Sequence, residues 1–330
     1  MDRKLQRWAL ISVSDKSGLR ELAEELVDLE IGILTTGGSS KILQESNIPF
    51  TEVSKYTGHP EIMGGRVKTL HPKIHGGILG RDGIDYDLME ELDIYSIDFV
   101  VVNLYPFEET ASKEGVSFDE VIENIDIGGP ALLRAAAKNH SRVTSVCSPD
   151  DYQGIVSHLK TSGNVPLDKR RVLAAKSFRH VSLYDEKIAG YLGSFDLSDD
   201  LQFPSEKKIA LKRKKILRYG ENPHQGAALY DIDLTDAKGV ANSRQLAGKQ
   251  LSYNNLVDAD TAIECVRSFN GPSCVIVKHA NPCGVSESET LKKAYEKAFS
   301  ADPTSAFGGV IGFNRPVTKA VAQLILSNQF

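Results

Sequence analysis

Apolar residues in the first part of the chain form short continuous runs that alternate with runs of helical spacing. Residues 8–13 are almost all apolar and predict a buried strand, and the leucines between residues 19 and 29 recur on one helix face. Residues 31–35 predict a second strand, which leads through the polar, glycine-containing turn 36–40 into a short helix. This repeated order of strand, turn and helix predicts a parallel α/β sheet.

The same patterning continues to the end of the chain. Residues 99–104 predict a third strand, buried on both faces because it is mostly apolar. Periodicity breaks over the polar, proline-containing residues 194–206 and the basic run 207–215, so we predict two domains, 1–199 and 200–330. The remaining predicted elements are strands at 142–147, 274–278 and 309–313, and helices at 130–139, 168–192, 290–299 and 317–326.

Composition narrows the class of protein. The 330 residues are 41% hydrophobic, which is ample for two cores, and the net charge of -5 disfavours a general nucleic-acid scaffold. The N-terminal apolar run is too short to span a membrane. Four cysteines without a CxxC pair suit a reducing compartment, so we expect a cytoplasmic protein that binds neither nucleic acid nor membrane.

The segment from Gly64 to Gly77 is the most unusual in the chain. It sets cations, two histidines and a proline between two glycine pairs. Because glycine allows close backbone approach and proline interrupts a helix, we expect an ordered loop that presents positive charge to an anionic small molecule. The histidines, His71 and His75, have the i, i+4 spacing of metal ligands, but Pro72 lies between them and no third ligand is evident, so no metal site is predicted.

Two turns each lie between a predicted strand and a predicted helix, where free N–H groups favour an anion. They are Ser14-Asp15-Lys16 and Thr36-Gly37-Gly38-Ser39. Neither is a Walker loop or a dinucleotide fingerprint, so ATP and NAD are poorly supported. The alternative is that both are ordinary turns with Ser or Thr caps, and that Lys16 is a solvated charge.

A candidate set of acid–base residues comes from the basic loop, the end of the third strand and the region of the predicted helix 130–139. Lys68, Tyr105, Asp126 and Lys138 combine a carboxylate with two amines, which suits proton transfer and oxyanion stabilisation. A carboxylate among lysines is expected to keep its charge, while a crowded, partly desolvated lysine can lose a proton. Alternatively, Tyr105 is a half-buried aromatic, Asp126 an N-cap and Lys138 a cation at a helix C-terminus.

Eight segments together resemble the family of bifunctional purine-biosynthesis enzymes that combine IMP cyclohydrolase with AICAR transformylase. The resemblance runs the length of the chain. Its segments are 12–16, 64–72, 103–107, 126–129 and 133–140 in the first half, and 218–225, 278–284 and 305–309 in the second.

For the first domain, the resemblance implies a methylglyoxal-synthase-like α/β fold that closes formyl-AICAR to inosine monophosphate (IMP) without a cofactor. It implies that Lys138 shuttles a proton, assisted by Lys68, Tyr105 and Asp126. The residues it implies for nucleotide binding are Ser14, Asp15, Lys16, Thr36, Gly37, Gly38, Ser39, Arg66, Val67, Thr69, Asn103 and Ile127.

For the second domain, the resemblance implies a cytidine-deaminase-like transformylase that moves a formyl group from 10-formyltetrahydrofolate to AICAR. Lys278 and His279 are the implied catalytic residues, and Arg218, Tyr219 and Gly308 are implied to hold AICAR. The family pattern also implies a homodimer. Because it extends beyond the position of Phe330, we expect a transformylase domain that is truncated in its later half, including much of the folate site.

Two other functions share the predicted fold. One is a non-catalytic module that binds a phosphorylated metabolite, and the other is a phosphate lyase of the methylglyoxal-synthase kind. Lys68, Asp126 and Lys138 favour catalysis over binding alone, and the motifs of the second domain disfavour the lyase.

Overall fold

The computed structural model describes residues 7–193, 209, 211–232 and 239–328, and the chain divides into two compact units, 1–203 and 204–330. The predicted boundary at 199/200 and the polar segment 194–206 around it lie outside the described residues. The basic run is described from residue 211 onward, where it forms a strand.

The first unit alternates strands with helices. Its strands are β1 (Trp8–Ser12), β2 (Gly32–Thr35), β3 (Thr51–Glu52), β4 (Ile97–Val102) and β5 (Thr144–Val146). Its helices are α1 (Leu19–Asp28), α2 (Gly37–Glu45), α3 (Val53–Thr57), α4 (Pro72–Leu79), α5 (Tyr86–Glu91), α6 (Phe107–Ala111), α7 (Phe118–Glu123), α8 (Gly128–Lys138), α9 (Tyr152–Ser162) and α10 (Leu167–Gly193).

The five strands form one parallel sheet in the order β3-β2-β1-β4-β5, which confirms the predicted α/β class. Successive side chains of a strand point to opposite faces, so the sheet has a core on each side. Leu10 and Val100 pack on the face covered by α4, α8 and α10, and Ile11 and Val101 on the face covered by α1 and α9. The strand order reverses between β1 and β4, and α/β sheets bind ligands beside such a point.

The prediction of an ordered loop from Gly64 to Gly77 is wrong at its C-terminal end, because helix α4 begins at Pro72. Proline is tolerated at the first helical position, where its missing N–H would have no partner within the helix. Gly77 fits the helix against the sheet, since a Cβ there would lie 2.5 Å from the carbonyl oxygen of Tyr95. Gly77 therefore serves close packing rather than ligand approach.

The second unit contains a hairpin and a three-stranded antiparallel sheet in the order β10-β8-β9, with α11 and α12 packed against the sheet. Its strands are β6 (Leu211–Ile216), β7 (Ala228–Ile232), β8 (Ser273–Lys278), β9 (Asn281–Glu287) and β10 (Val310–Phe313). Its helices are α11 (Tyr253–Arg267), α12 (Leu291–Ala301), α13 (Pro303–Ala306) and α14 (Lys319–Ser327).

Throughout the described part of the chain, the helices lack the combination of length and apolar character that crossing a membrane requires.

Candidate functional site

A cavity of about 670 Å³ opens at the carboxyl ends of β1, β2 and β4. This volume is within the usual range for small-molecule sites. It is lined by segments that are far apart in sequence, three of which directly follow the neighbouring parallel strands β1, β2 and β4. The sequence-predicted residues that line it are Ser14, Lys16, Thr36, Gly37, Gly38, Ser39, Arg66, Lys68, Thr69, Asn103, Tyr105, Asp126 and Ile127. Asp15, Val67 and Lys138 are not among the lining residues.

The turn after β1 is held by the side-chain amide of Asn103, which follows β4. Asn103 Oδ1 accepts hydrogen bonds from the N–H groups of Ser14 at 2.5 Å and Asp15 at 2.9 Å. Asn103 Nδ2 donates to the carbonyl of Asp15 at 3.0 Å. The exposed carboxylate of Asp15 accepts from Ser17 N at 2.9 Å. Asn103 therefore shapes the turn as well as lining the cavity.

The turn after β2 is shorter than predicted, because α2 already begins at Gly37. Thr36 is the N-cap but makes no side-chain cap hydrogen bond. The hydroxyl of Ser39 is used within the protein, since it accepts from Val13 N at 3.1 Å. This turn therefore contributes backbone N–H groups to the cavity, at the glycine pair that begins α2.

Two lysine ammonium groups lie beside that glycine pair. A Cβ placed on Gly37 would lie 3.6 Å from Lys68 Nζ, and one placed on Gly38 would lie 3.6 Å from Lys16 Nζ. Side chains at these positions would occupy space that the lysines now border. The start of α2 and both lysines thus face the same part of the cavity, which suits an anion.

Burial lowers the pKa of Lys16, although the charge of Asp15 acts in the opposite direction. The Lys16 ammonium group donates to the carbonyl of Val13, the residue directly after β1. The alternative that Lys16 is a solvated charge is therefore wrong.

The segment 62–69 forms the next wall of the cavity. Ile62 and Val67 pair by backbone hydrogen bonds of 3.2 and 3.4 Å, which places the intervening residues in a tight turn. Lys68 is half-buried and lies 3.6 Å from Glu61. Arg66 is exposed and paired with Glu123, and the Thr69 side chain is buried at the cavity.

Asp126 lies in the segment between α7 and α8. Its Oδ1 accepts from Gly129 N at 2.8 Å in the first turn of α8, although the N-cap residue is Ile127 and not Asp126. The N–H of Asp126 donates to the Tyr184 hydroxyl at 2.8 Å. Burial raises the pKa of Asp126 more than the Gly129 N–H and the Lys68 charge lower it. The Lys68 charge therefore favours the ionised carboxylate as expected, but burial has the larger effect on its pKa.

Lys138 does not line the cavity of its own chain. Asp126 precedes α8 and Lys138 is its last residue, so about 15 Å of helix separates the two ends. Lys138 instead lines a second, more open pocket, together with Arg134, His140 and Phe178. Its nearness in sequence to Asp126 was misleading because a regular helix carries the chain away from the site.

The two histidines of the basic segment contribute to α4. His71 caps the helix, with Nδ1 accepting from Lys73 N at 3.1 Å, and His75 is half-buried within it. Burial is the largest cause that lowers the pKa of each imidazole. Among the described residues, no group of three or more His, Cys, Asp or Glu side chains is arranged to hold a metal ion.

In the second unit, Lys278 ends β8 and His279 follows it in the left-handed region, with φ of 56°. Lys278 Nζ donates to the carbonyl of Phe307 at 2.8 Å, which brings it next to Gly308. The His279 side chain is exposed, and the following N–H, of Ala280, donates to Asp258 on α11 at 2.7 Å.

Arg218 and Tyr219 follow β6 and reach the start of the same helix. The Arg218 guanidinium stacks over the Tyr219 ring at 4.7 Å, and the carbonyl of Tyr219 accepts from Tyr253 N at 3.1 Å. Tyr253 precedes Asp258 by five residues, or about 7.5 Å along the axis of α11. One helix therefore links the segment with Arg218 and Tyr219 to the segment with His279.

Comparisons with known proteins agree with this architecture. Residues 18–131 match the family model described as MGS-like domain, so the first unit carries an MGS-like α/β domain. The crystal structure of ForH is also similar, with 34% sequence identity and a TM-score of 0.51, over 57% of this chain and 99% of its own.

Residues 136–330 match the family model described as AICARFT/IMPCHase bienzyme, which spans more than half of the chain. The chain belongs to the AICARFT/IMPCHase bienzyme family, and the resemblance found in the sequence is confirmed. Its two matched domains support a role in purine biosynthesis.

Several contacts of the site had no clear signal in the sequence. Glu61 and Glu123 pair with the two cations of the 62–69 segment, and Tyr184 on α10 positions the backbone of Asp126. Tyr184 is 58 residues from Asp126 in sequence. Only the packing of α10 against α8 brings it there.

Proposed function

We propose that the first unit closes formyl-AICAR to IMP with loss of water. The observation that carries this proposal is that Lys16, Lys68 and Asp126 border one cavity in a member of the bienzyme family. Two cations and the start of α2 suit the phosphate of a ribotide, and a cation beside a partly buried carboxylate suits proton transfer on its ring.

The phosphate is expected at the glycine pair of α2. The first-turn N–H groups there have no side-chain cap from Thr36, and the Lys16 and Lys68 ammonium groups lie beside Gly38 and Gly37. A phosphate would therefore meet backbone donors, the positive end of a helix dipole and two cations. Binding of the dianion favours the charged form of Lys16 and so opposes the effect of burial on its pKa.

Ring closure joins the carboxamide nitrogen to the formyl carbon of the same molecule. The formyl oxygen then leaves as water, with one proton from the carboxamide nitrogen and one from the formamide nitrogen. Because the reaction is intramolecular, holding the two groups in contact accounts for much of the rate enhancement. Lys68 stabilises the negative charge that develops on the formyl oxygen.

Asp126 is the group to which we assign the proton of the carboxamide nitrogen. Burial raises the pKa of its carboxyl group, which makes the ionised form a stronger base. The resemblance gives the proton shuttle to Lys138, but Lys138 lies at the far end of α8. Tyr105 lines the cavity with an exposed ring and can donate a hydrogen bond from its hydroxyl to the carboxamide.

For the second unit we propose a part in formyl transfer from 10-formyltetrahydrofolate to AICAR. The exposed His279 imidazole can accept a proton from the AICAR amine, and the adjacent Lys278 can stabilise the oxyanion on the formyl carbon. Arg218, Tyr219 and Gly308 are proposed to hold AICAR. A homodimer and a cytoplasmic location are further expectations from the family resemblance.

The test is incubation of the purified protein with formyl-AICAR while the absorbance of IMP is followed. IMP formation above the uncatalysed rate supports the proposal. Tight binding of IMP without turnover favours a non-catalytic phosphate-binding module. Release of phosphate from dihydroxyacetone phosphate favours the lyase, which the match to an MGS-like domain makes the second candidate to assay.

A further inference from the structure

Arg66 and Glu123 form an ion pair between two walls of the cavity. Arg66 Nε donates to Glu123 Oε1 at 3.1 Å, and Arg66 Nη2 donates to Oε2 at 2.5 Å. Both residues line the cavity. The two parallel hydrogen bonds give a planar, bidentate geometry, which fixes the direction of a guanidinium better than a single contact.

The segment that carries Arg66 does little by itself to order the Arg66 side chain. Arg66 directly follows the turn Met63–Gly65, in which all three residues have positive φ, and its side chain is 62% exposed. A long, exposed arginine populates many rotamers, and ordering it on binding a ligand costs free energy. The contact with Glu123 removes that freedom before a ligand arrives.

The wall that carries Glu123 is anchored independently. Glu123 is the last residue of α7, whose first turn is capped by Ser117, and the chain after it is held where Asp126 N donates to Tyr184. The carboxylate of Glu123 is therefore attached to a fixed helix end.

The Arg66 guanidinium has hydrogen-bond donors that Glu123 does not use. Glu123 occupies Nε and one hydrogen of Nη2, and Nη1 of Arg66 has no hydrogen-bond partner in the described part of the chain. Arginine has five N–H donors, so its second edge, formed by Nη1 and Nη2, remains available to an acceptor with two oxygens. Pairing with Glu123 and binding an anion are therefore compatible.

We infer that Glu123 is a positioning residue: it holds Arg66 by one edge so that the other edge can bind an anionic group of the nucleotide. The inference rests on the proposed function, because it assumes that the cavity binds a ribotide. It assigns Glu123 an effect on affinity rather than on the chemical step. If Glu123 instead competed with the ligand for Arg66, removing the Glu123 carboxylate would tighten ligand binding.

The test measures IMP affinity by calorimetry, together with kcat and KM for formyl-AICAR, in Glu123→Gln and Glu123→Asp. For Glu123→Gln we expect the Kd for IMP and the KM to rise about three- to tenfold, the range for ordering one long side chain, with kcat within about twofold. Glu123→Asp keeps the charge and should recover part of the affinity. Glu120→Gln removes an equal charge from the same helix without a contact to Arg66 and should bind IMP like the wild type.

The double variant Arg66→Ala/Glu123→Gln is the decisive comparison, because a residue that acts only through Arg66 has no effect once Arg66 is absent. We expect it to bind IMP as Arg66→Ala does. Tighter binding by Glu123→Gln, or an undiminished effect in the Arg66→Ala background, would overturn the inference. Wild-type protein that does not bind IMP at all would overturn both the inference and the proposed function.

Discussion

The side chain of Asn103 pairs with the backbone of Asp15 in both directions. Asn103 Oδ1 accepts from Asp15 N at 2.9 Å, and Asn103 Nδ2 donates to Asp15 O at 3.0 Å. Asn103 follows β4 and Asp15 follows β1, so the contact ties together the ends of the two strands between which the sheet order reverses. The turn that presents Lys16 therefore has its shape set from the neighbouring strand.

Asn103→Ala is expected to loosen this turn. The change leaves the N–H groups of Ser14 and Asp15 without their acceptor, and loss of such partners costs about 1–3 kcal/mol of unfolding free energy. We expect the Kd for IMP to rise about tenfold or more. Asn103→Asp keeps the acceptor oxygen but places a second oxygen opposite the Asp15 carbonyl, so this variant should also bind IMP more weakly. Wild-type affinity and stability in Asn103→Ala would show that the amide does not hold the turn.

Lys68→Gln is expected to affect turnover more than binding. Glutamine retains a polar side chain but cannot stabilise a developing negative charge as an ammonium group does. We expect kcat for ring closure to fall about 100-fold or more, the scale for losing one oxyanion-stabilising donor. Lys55→Gln changes an exposed lysine of α3 and serves as the control. Normal turnover in Lys68→Gln would remove Lys68 from the proposed mechanism.

Asp126→Asn is expected to be more stable than the wild type at neutral pH, although inactive in ring closure. Burial raises the pKa of Asp126 in the folded state, so its favourable contribution is complete below the unfolded pKa and is lost as pH rises through the folded pKa. The variant should therefore gain stability above the folded pKa, and the gain should vanish below about pH 4.

Thermal unfolding between about pH 4 and pH 8 tests this expectation for Asp126. Asparagine can still accept the hydrogen bond from Gly129 N, so the helix cap is retained. Asp185→Asn, at an exposed position of α10, is the matched control. A neutral-pH stability of Asp126→Asn below that of the wild type would mean that the ionised carboxylate is stabilised, not penalised, at this site.

Ala280→Gly is expected to stabilise the second unit. Ala280 has φ of 58°, a left-handed conformation that costs a residue with Cβ about 1–2 kcal/mol. Glycine removes that cost but gains freedom in the unfolded state, so the net increase in unfolding free energy should be about 0.5–1 kcal/mol. Ala301→Gly, at an exposed helical position in α12, should instead lower stability. Denaturant unfolding followed by circular dichroism measures both, and a loss in Ala280→Gly would contradict the expectation.

Much of the first unit could be predicted because its strands are buried on both faces and its helices show one apolar face. The pattern predicts strands at residues 8–13, 31–35 and 99–104, and β1, β2 and β4 overlap them. The short strand β3 has no signal in the sequence because two residues carry no periodicity. The sequence does not predict helix α4, because proline usually interrupts a helix, whereas Pro72 occupies the first helical position.

The gathering of the turns at one cavity could also be predicted, since the carboxyl ends of parallel strands share an edge. What the sequence does not reveal is how far a side chain is carried by a helix or how deeply it is buried. Lys138 is displaced by the length of α8, and the pKa of Asp126 depends on packing against segments such as α10. These are properties of tertiary contacts rather than of local patterns.

The rate of IMP formation from formyl-AICAR by the wild-type chain, compared with that of Asp126→Asn, tests the proposed function most directly. We predict steady conversion by the wild type that needs no added cofactor, and conversion by Asp126→Asn reduced about 100-fold or more, the scale of general acid–base catalysis. The proposal is contradicted if the wild type binds IMP but converts formyl-AICAR no faster than buffer, or if Asp126→Asn converts it at the wild-type rate.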